Sequence, residues 1–441
     1  IDMLEDAAKK TDEFWESSRT DTLSAKEKTT YALLDSMGKK HNFDNKLNML
    51  SALQDGNLRF HYVSVQLYNV LKVNKPEGLR VGMGLETNSD LWSKYKIGAF
   101  AGYGIRDEVW KYGGFFEWKL YYPKNVRLLF NYSKNYEESG GTSFFQGNYW
   151  GSGENYRNYT ITNFDFAERK EIAFTARVRK YLNLQVTAFD VNKNPTSGYK
   201  FVNTISGEPV VEDQFDFAGL KAAFRFSYKE RIVESLDRYY WINAGYPTIW
   251  FQVTQGINGF LNGQFTYTKY ESKFNYSFPT KSLGITSFTL EGGYVDHVIP
   301  ATDLFTGKSS YAPIGLYASN SFQTMRSDEF LSDTYVSLFL QQDFQTNIIR
   351  AGKFQPNFVF VTGVGFGTLS HPEVHLNTAV KTMNKGYFES GLIVNNIIAK
   401  KFFGIARLGI GAGAFYRYGP YAFSNPLDNL SVKINWTYNF K

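Results

Sequence analysis

The chain has no cysteine, few histidines and no long apolar run, and each shortage closes off a class of protein. Without cysteine there is neither a disulfide framework nor thiol catalysis, a state compatible with the cell envelope. No stretch of about 18 apolar residues occurs, so no transmembrane helix is expected. The formal charge of +6 is mild for 441 residues, and the Lys and Arg are scattered. That points to neither nucleic acid nor a polybasic membrane patch. The chain opens at Ile1 without the charged, apolar and small-residue succession of a signal peptide. Its targeting segment is therefore expected to be processed away or to lie outside this sequence.

What is abundant is aromatic: 31 Tyr, 39 Phe and 8 Trp give 18% of the chain, yet the mean hydropathy is negative. Strands of a membrane barrel produce that combination, because they alternate and never raise a hydropathy plot. The segment 430–441 is the clearest case. Leu430, Val432, Ile434, Trp436, Tyr438 and Phe440 alternate with Ser431, Lys433, Asn435, Thr437 and Asn439, giving one apolar and one polar face. Ending on an aromatic, it resembles the terminal strand that the barrel assembly machinery reads in bacterial outer-membrane barrels, and Trp436, Tyr438 and Phe440 are its expected recognition face. Hydrocarbon offers backbone N–H and C=O groups no partner, so a sheet in lipid must close. Closure is expected against a first strand near 60–72.

Two regions are predicted. Residues 1–58 are charged and helical in period, with a Ser24/Glu27 capping box ahead of Tyr31, Leu33 and Leu34 and a stop at Gly38. Too polar to span a membrane, they are expected in the periplasm or in the barrel mouth as a plug. Asp21-Thr22-Leu23 and Asp35-Ser36-Met37 are similar to the short O-glycan acceptor motif of Bacteroidota, or are simple helix caps and turns.

Residues 59–441 have period two and predict an all-β, antiparallel transmembrane barrel of about sixteen strands. The expected strands are 60–72, 78–87, 94–104, 110–122, 126–136, 170–181, 182–192, 214–228, 249–256, 265–278, 283–295, 333–344, 356–367, 386–396, 403–417 and 429–440. Their connections separate by length, as bacterial barrels require. The long segments 137–169, 193–213, 296–332, 368–385 and 418–428 share one end. The short turns at 122–125, Tyr181, 279–282 and 399–401 share the other, and 229–248 is the poor fit. On this topology, cysteines placed at Ser152, Ser309 and Ser424 are expected outside the cell, and Lys124 and Lys400 inside the envelope.

Two strands carry glycine rows on their polar face. Leu79, Val81, Met83 and Leu85 oppose Arg80, Gly82, Gly84 and Glu86, while Leu408, Ile410, Ala412 and Ala414 oppose Arg407, Gly409, Gly411 and Gly413. Such rows either allow sharp curvature or let another segment approach the wall. Glu77, Arg80, Glu86, Glu329, Asp333, Glu389 and Arg407 are too costly for the lipid side and are expected to form a lumen network. That network would hold loop 296–332 in place or line a selective pore.

Other chemistry is thinly supplied. His371 and His375 flank Pro372-Glu373, a possible zinc pair, but the proline spoils helical presentation and no further ligand is evident. Asp296-His297 is the best available start of a Ser-His-acid group, and a strand-end pair hydrogen-bonded to its turn is the better reading. His41 and His61 offer nothing more. No catalytic residue, metal or cofactor is expected.

Several motifs resemble a family. These are Asn74-Lys75-Pro76-Glu77-Gly78-Leu79-Arg80, Lys111-Tyr112-Gly113-Gly114, the run from Asn320 to Met325 followed by Glu329-Phe330-Leu331-Ser332-Asp333, and Tyr387-Phe388-Glu389-Ser390-Gly391. As a set they resemble an uncharacterised Bacteroidota family of outer-membrane barrels usually preceded by a carboxypeptidase-regulatory-like domain, and the resemblance runs over nearly the whole chain. It implies the fold, the outer membrane and a domain ahead of this sequence, and no reaction. A more distant similarity is to BamA-type assembly barrels, whose long inward loop occupies the position of 296–332. That loop has no Arg-Gly-aromatic tip here and no POTRA-like repeats precede the barrel, so insertase activity is not carried over.

The expected function is a non-enzymatic outer-membrane barrel, a subunit or scaffold of an envelope complex or a plugged channel. A component of a protein or lipid insertion machine is the second reading, and a rim-located hydrolase the third. Expected partners are outer-membrane lipid, lipopolysaccharide, the barrel assembly machinery and other envelope proteins, with no nucleic acid. Both termini are expected in the periplasm. An open lumen would favour transport, and a plugged lumen with a poorly paired seam would favour insertion.

Overall fold

The computed structural model describes residues 56–440 except 146–152, 204–207, 236–237, 243–244, 346–347, 350–354, 379 and 403–405, and single positions before 56. Among the latter, Ser24 and Glu27 exchange the reciprocal bonds of a capping box: Ser24 N and Oγ donate to the Glu27 carboxylate at 2.8 and 2.7 Å, and Glu27 N donates to Ser24 Oγ at 3.3 Å. Tyr31, Leu34, Gly38, His41 and the Asp21-Thr22-Leu23 motif lie outside the described residues, as do Asp35 and Met37.

The wall is a run of antiparallel neighbours in chain order, from Gly78–Thr87 to Leu430–Phe440. Its surface is inside out. Leu79, Val81, Met83, Ile172, Leu220, Leu290, Val336, Leu338, Phe360, Leu392 and Ile410 are exposed. The alternate positions carry buried Arg80, Glu86, Thr175, Ala223, Thr289, Glu291, Ser337, Glu389 and Arg417. A water-facing sheet would reverse this arrangement, whereas a barrel in hydrocarbon requires it. Aromatic pairs such as Tyr103/Trp110 (5.3 Å between ring centres) and Tyr270/Tyr294 (6.3 Å) sit on the outer surface, where cross-strand rings add to sheet stability.

The main sheet has nineteen strands among the described residues, three more than the expected count. The expected first strand is broken into Val63–Gln66 and Leu71–Asn74 by a single 3-10 turn at Leu67–Asn69. Asn57–Arg59 and Ile314–Leu316 add short ladders of their own. The poor fit at 229–248 is a two-stranded hairpin, Arg231–Ser235 with Arg238–Ile242, so the short-turn end is preserved. The strand expected to stop at 396 continues to Phe402 through a bulge between Val394 and Ile398, where Asn396 takes the left-handed conformation.

The two glycine rows have different causes. A Cβ at Gly82 would lie 2.8 Å from the Asn69 carbonyl oxygen, and one at Gly84 would lie 2.5 Å from Gln66 Oε1. Those glycines admit the break in the first strand. The row Gly409, Gly411 and Gly413 instead meets its own neighbouring strand at Asn396, Asn395 and Ile393, which is the curvature reading.

Long loops fill the barrel from one end. Phe189, Phe215, Phe217, Phe265, Tyr267, Leu304 and Phe305 form an apolar cluster there, and Phe322, Met325, Phe330, Met383 and Tyr387 form a second. Ser309 is 5% exposed, so labelling expected at that position is corrected: the loop carrying it runs inside the wall. Ser152 lies outside the described residues and Ser424 is exposed.

Candidate functional site

The predicted lumen charges divide into separate groups, and most of them bind loops. Glu77 is fully buried and is the hub of the first group. Lys111 lies 3.3 Å and Arg80 3.7 Å from its carboxylate, and Asn74 both donates to that carboxylate and accepts from Glu77 N. Lys111 also pairs with Asp107, which accepts from Tyr136 at 3.0 Å, while Arg80 donates to Asn135 at 2.7 Å. Glu86 forms a second group with Lys96 (2.7 Å), Asn57 (2.5 Å) and Gln66 (3.2 Å). It thereby pins the Val63–Gln66 half of the first strand to the wall.

The remaining charges clamp loop 296–332. Glu389 accepts from the backbone N–H groups of Gln323 and Thr324 at 2.7 and 2.9 Å and from the Thr324 hydroxyl at 2.6 Å. Glu329 receives both arms of Arg417 at 2.6 and 2.9 Å. The residue that reaches Glu329 is thus Arg417, and the Arg407 side chain lies outside the described residues. Asp333 sits at the rim, where its carboxylate accepts from Ser370 N at 2.7 Å.

Sequence reasoning missed a further set, because Glu154, Arg157, Lys308 and Asn320 lie on loops that carry no period. Glu154 and Glu291 share Lys273 at 3.2 and 3.3 Å, Lys308 reaches Glu291 at 2.7 Å, and Asn320 donates to Glu154 at 2.6 Å. Arg157 forks onto Glu138 at 2.6 and 2.5 Å and donates to the Ser309 carbonyl at 3.3 Å. The described parts of loops 139–163 and 296–332 are therefore tied to each other and to the inner wall.

The seam differs from expectation. Among the described residues no ladder joins the first strand to the last. The terminal strand instead takes a parallel partner from the plug, with Ile314 opposite Val432, Gly315 opposite Lys433 and Leu316 opposite Ile434. Val432 N donates to the Pro313 carbonyl, Tyr317 N to the Ile434 carbonyl, and the Lys433 ammonium to the Ser310 carbonyl at 2.5 Å. Trp436 faces outward, and the side chains of Tyr438 and Phe440 lie outside the described residues. Alongside runs a cavity of about 1310 Å³, bordered by Leu71 and Val73 on one side of the seam and by Ile398, Leu408, Ile410 and Trp436 on the other. It continues inward to Lys72, Arg80, Asn131 and Ser133.

The histidines stand apart from this seam. His297 Nδ1 is 2.7 Å from its neighbour Asp296, which also accepts from Thr268 N. His371 is exposed beside Glu373, whereas His375 is buried. The Tyr199 hydroxyl lies 2.7 Å from His375 Nδ1 and accepts from Ala301 N at 3.0 Å. His375 belongs to a small sheet with Lys200–Asn203 and Val210–Glu212 at the long-loop end. Burial pulls its pKa down to about 4. A folded pKa below the unfolded value of about 6.5 means that the unfolded chain binds the proton first, so stability falls as pH drops from about 6.5 to about 4. The cost at the bottom of that window is about 3 kcal/mol. Protection of the amides of residues 199–203, taken relative to the intrinsic exchange rate at each pH, is expected to fall between pH 7 and pH 5 in the native chain and to stay flat in His375→Gln.

No protein-family model and no curated protein sequence matches the chain. Solved structures similar to it include BamA from Haemophilus ducreyi lacking POTRA domains 1-3, at 9% identity and TM-score 0.46, covering 84% of this chain and 69% of that one. CdiB from Escherichia coli matches at 8% identity and TM-score 0.46, covering 86% and 62%. CdiB from Acinetobacter baumannii matches at 9% and 0.44, covering 82% and 57%. The chain thus spans less than two thirds of either CdiB chain.

Proposed function

We propose that the protein is an outer-membrane barrel that works at its seam, as a component of a machine that inserts or translocates protein or lipid. The observation that carries this reading is the missing ladder between Leu71–Asn74 and the terminal strand, together with the cavity that opens there. In hydrocarbon an unpaired edge is costly, and a barrel that keeps one has a use for it. The plugged lumen argues against free diffusion through the pore. No catalytic residue is assigned. In this reading the short-turn end is periplasmic and both termini lie on that side, and membership of the Bacteroidota family resembled in sequence belongs to the same proposal. A static subunit of an envelope complex is the second reading, favoured by the ion pairs that fasten the plug.

Photo-crosslinking amino acids at Val73 and Trp436 test it in living cells. A client polypeptide or an enriched lipid is expected at both positions and not at Tyr270, an outward residue far from the seam in strand order. Indistinguishable products at all three sites would sink the seam reading.

A further inference from the structure

We infer that the seam cavity binds an anionic, phosphate-bearing lipid, with its headgroup at Lys72 and Arg80 and its acyl chains in the gap beside Ile410 and Trp436. This rests on the seam reading above and names its substrate class. The cavity is polar at one end and apolar at the other, as a lipid is. Asn131, Ser133 and Asn135 accompany Lys72 and Arg80 on the inner side, while Leu71, Val73, Ile398, Leu408, Ile410 and Trp436 border the side that meets the bilayer.

Its charge is unbalanced. Glu138 is the acid on the lining, and Arg157 already holds it through two bonds. Arg80 is 1% exposed and shares Glu77 with Lys111, and its Nε has no hydrogen-bond partner. Lys72 is half-buried and makes no hydrogen bond or ion pair among the described residues. Glu77 is shared between Arg80 and Lys111, and nearby Glu137 is held by Arg169, so Lys72 and Arg80 are under-compensated against apolar surface, and an incoming phosphate adds charge-assisted bonds. A small free anion would satisfy the cations but leave the apolar gap empty, so a ligand carrying both parts fits better.

The opening is built into the chain. The turn at Leu67–Asn69 interrupts the first strand, Asn69 donates to Gln66 Oε1 at 2.8 Å, and Gly82 and Gly84 leave room for both. Drawing that turn inward leaves Leu71–Asn74 as an edge beside the cavity.

Because the chain has no cysteine, Ser133→Cys gives a unique label site on the inner wall, shielded from bulk lipid. A bimane there, in nanodiscs carrying brominated phosphatidylglycerol or brominated phosphatidylcholine, reports lipid inside the seam. Half-maximal quenching is expected at about tenfold less phosphatidylglycerol than phosphatidylcholine. Lys72→Gln is expected to shrink that preference to about twofold while heat-shifted gel migration is unchanged. Equal quenching by the two lipids, or an undiminished preference in Lys72→Gln, would overturn the proposal. Full relief of quenching by soluble glycerol phosphate would overturn it too, by assigning the site to a free anion. Polypeptide crosslinks at Val73 and Trp436 would survive each of these failures, so loss of the lipid site and loss of the seam reading are separable.

Discussion

A chain lacking residues 438–441 is expected to lose heat-shifted migration on unheated SDS gels, and its membrane level is expected to fall about tenfold or more. The cause lies on one side of the terminal strand. Tyr438, Asn439 and Phe440 pair with Leu408, Arg407 and Ala406, and their removal strips hydrogen bonds from the end of Ala406–Tyr418 as well. Each backbone group left unpaired in hydrocarbon costs several kcal/mol, which together exceeds the net stability of most domains. A chain lacking only Lys441 keeps all three pairs and is the control. Normal abundance and normal heat-shifted migration of the shorter chain would show that this ladder does not hold the barrel together.

The alternation that predicts the wall strands is legible because two solvents act on one sheet. Lipid selects Val432, Ile434 and Trp436 on one face, and the polar interior selects Ser431, Lys433 and Asn435 on the other. The separation of long loops from short turns follows from the same strands. What sequence reasoning missed depends on contacts with no local period. Leu67-Tyr68-Asn69 reads as strand, and only the space left by Gly82 and Gly84 turns it inward. The second partner of the terminal strand, beside Ala406–Tyr418, is Ile314–Leu316, far away in the chain and parallel to it, where the sequence predicts the first strand. Parallel pairing of a short loop segment has no hairpin turn to announce it.

The charges show the same limit. Arg407 and Arg417 lie on the same strand and the same face, so alternation alone cannot choose between them. Depth in the barrel decides, and depth is set by where loop 296–332 lands. Glu154 and Arg157 sit in a loop with no periodicity, so their partners Lys273 and Glu138 become evident only once the loop is folded in.

Arg417→Ala is expected to be the most damaging single substitution inside the barrel, costing about 3–5 kcal/mol. The Arg417 side chain is fully buried and gives both its terminal nitrogens to Glu329. Its guanidinium also stacks over Phe423 at 4.4 Å and Tyr387 at 4.7 Å. Truncation leaves the Glu329 carboxylate, 9% exposed, with Lys381 at 3.3 Å as its remaining cation. Lys381 is 43% exposed and contributes little, so the penalty stays near that of an orphaned buried charge. Arg417→Lys is expected to recover only part of the loss, since an ammonium cannot fork onto a carboxylate or stack flat between two rings. Arg417→Met with Glu329→Gln removes both charges together and is expected to be milder than Arg417→Ala alone, because no unpaired ion remains. The measurements are the temperature at which SDS unfolds the barrel and the rate of protease cleavage within 326–332. A change of less than about 1 kcal/mol in Arg417→Ala, with the loop still protected, would show that the plug is held elsewhere.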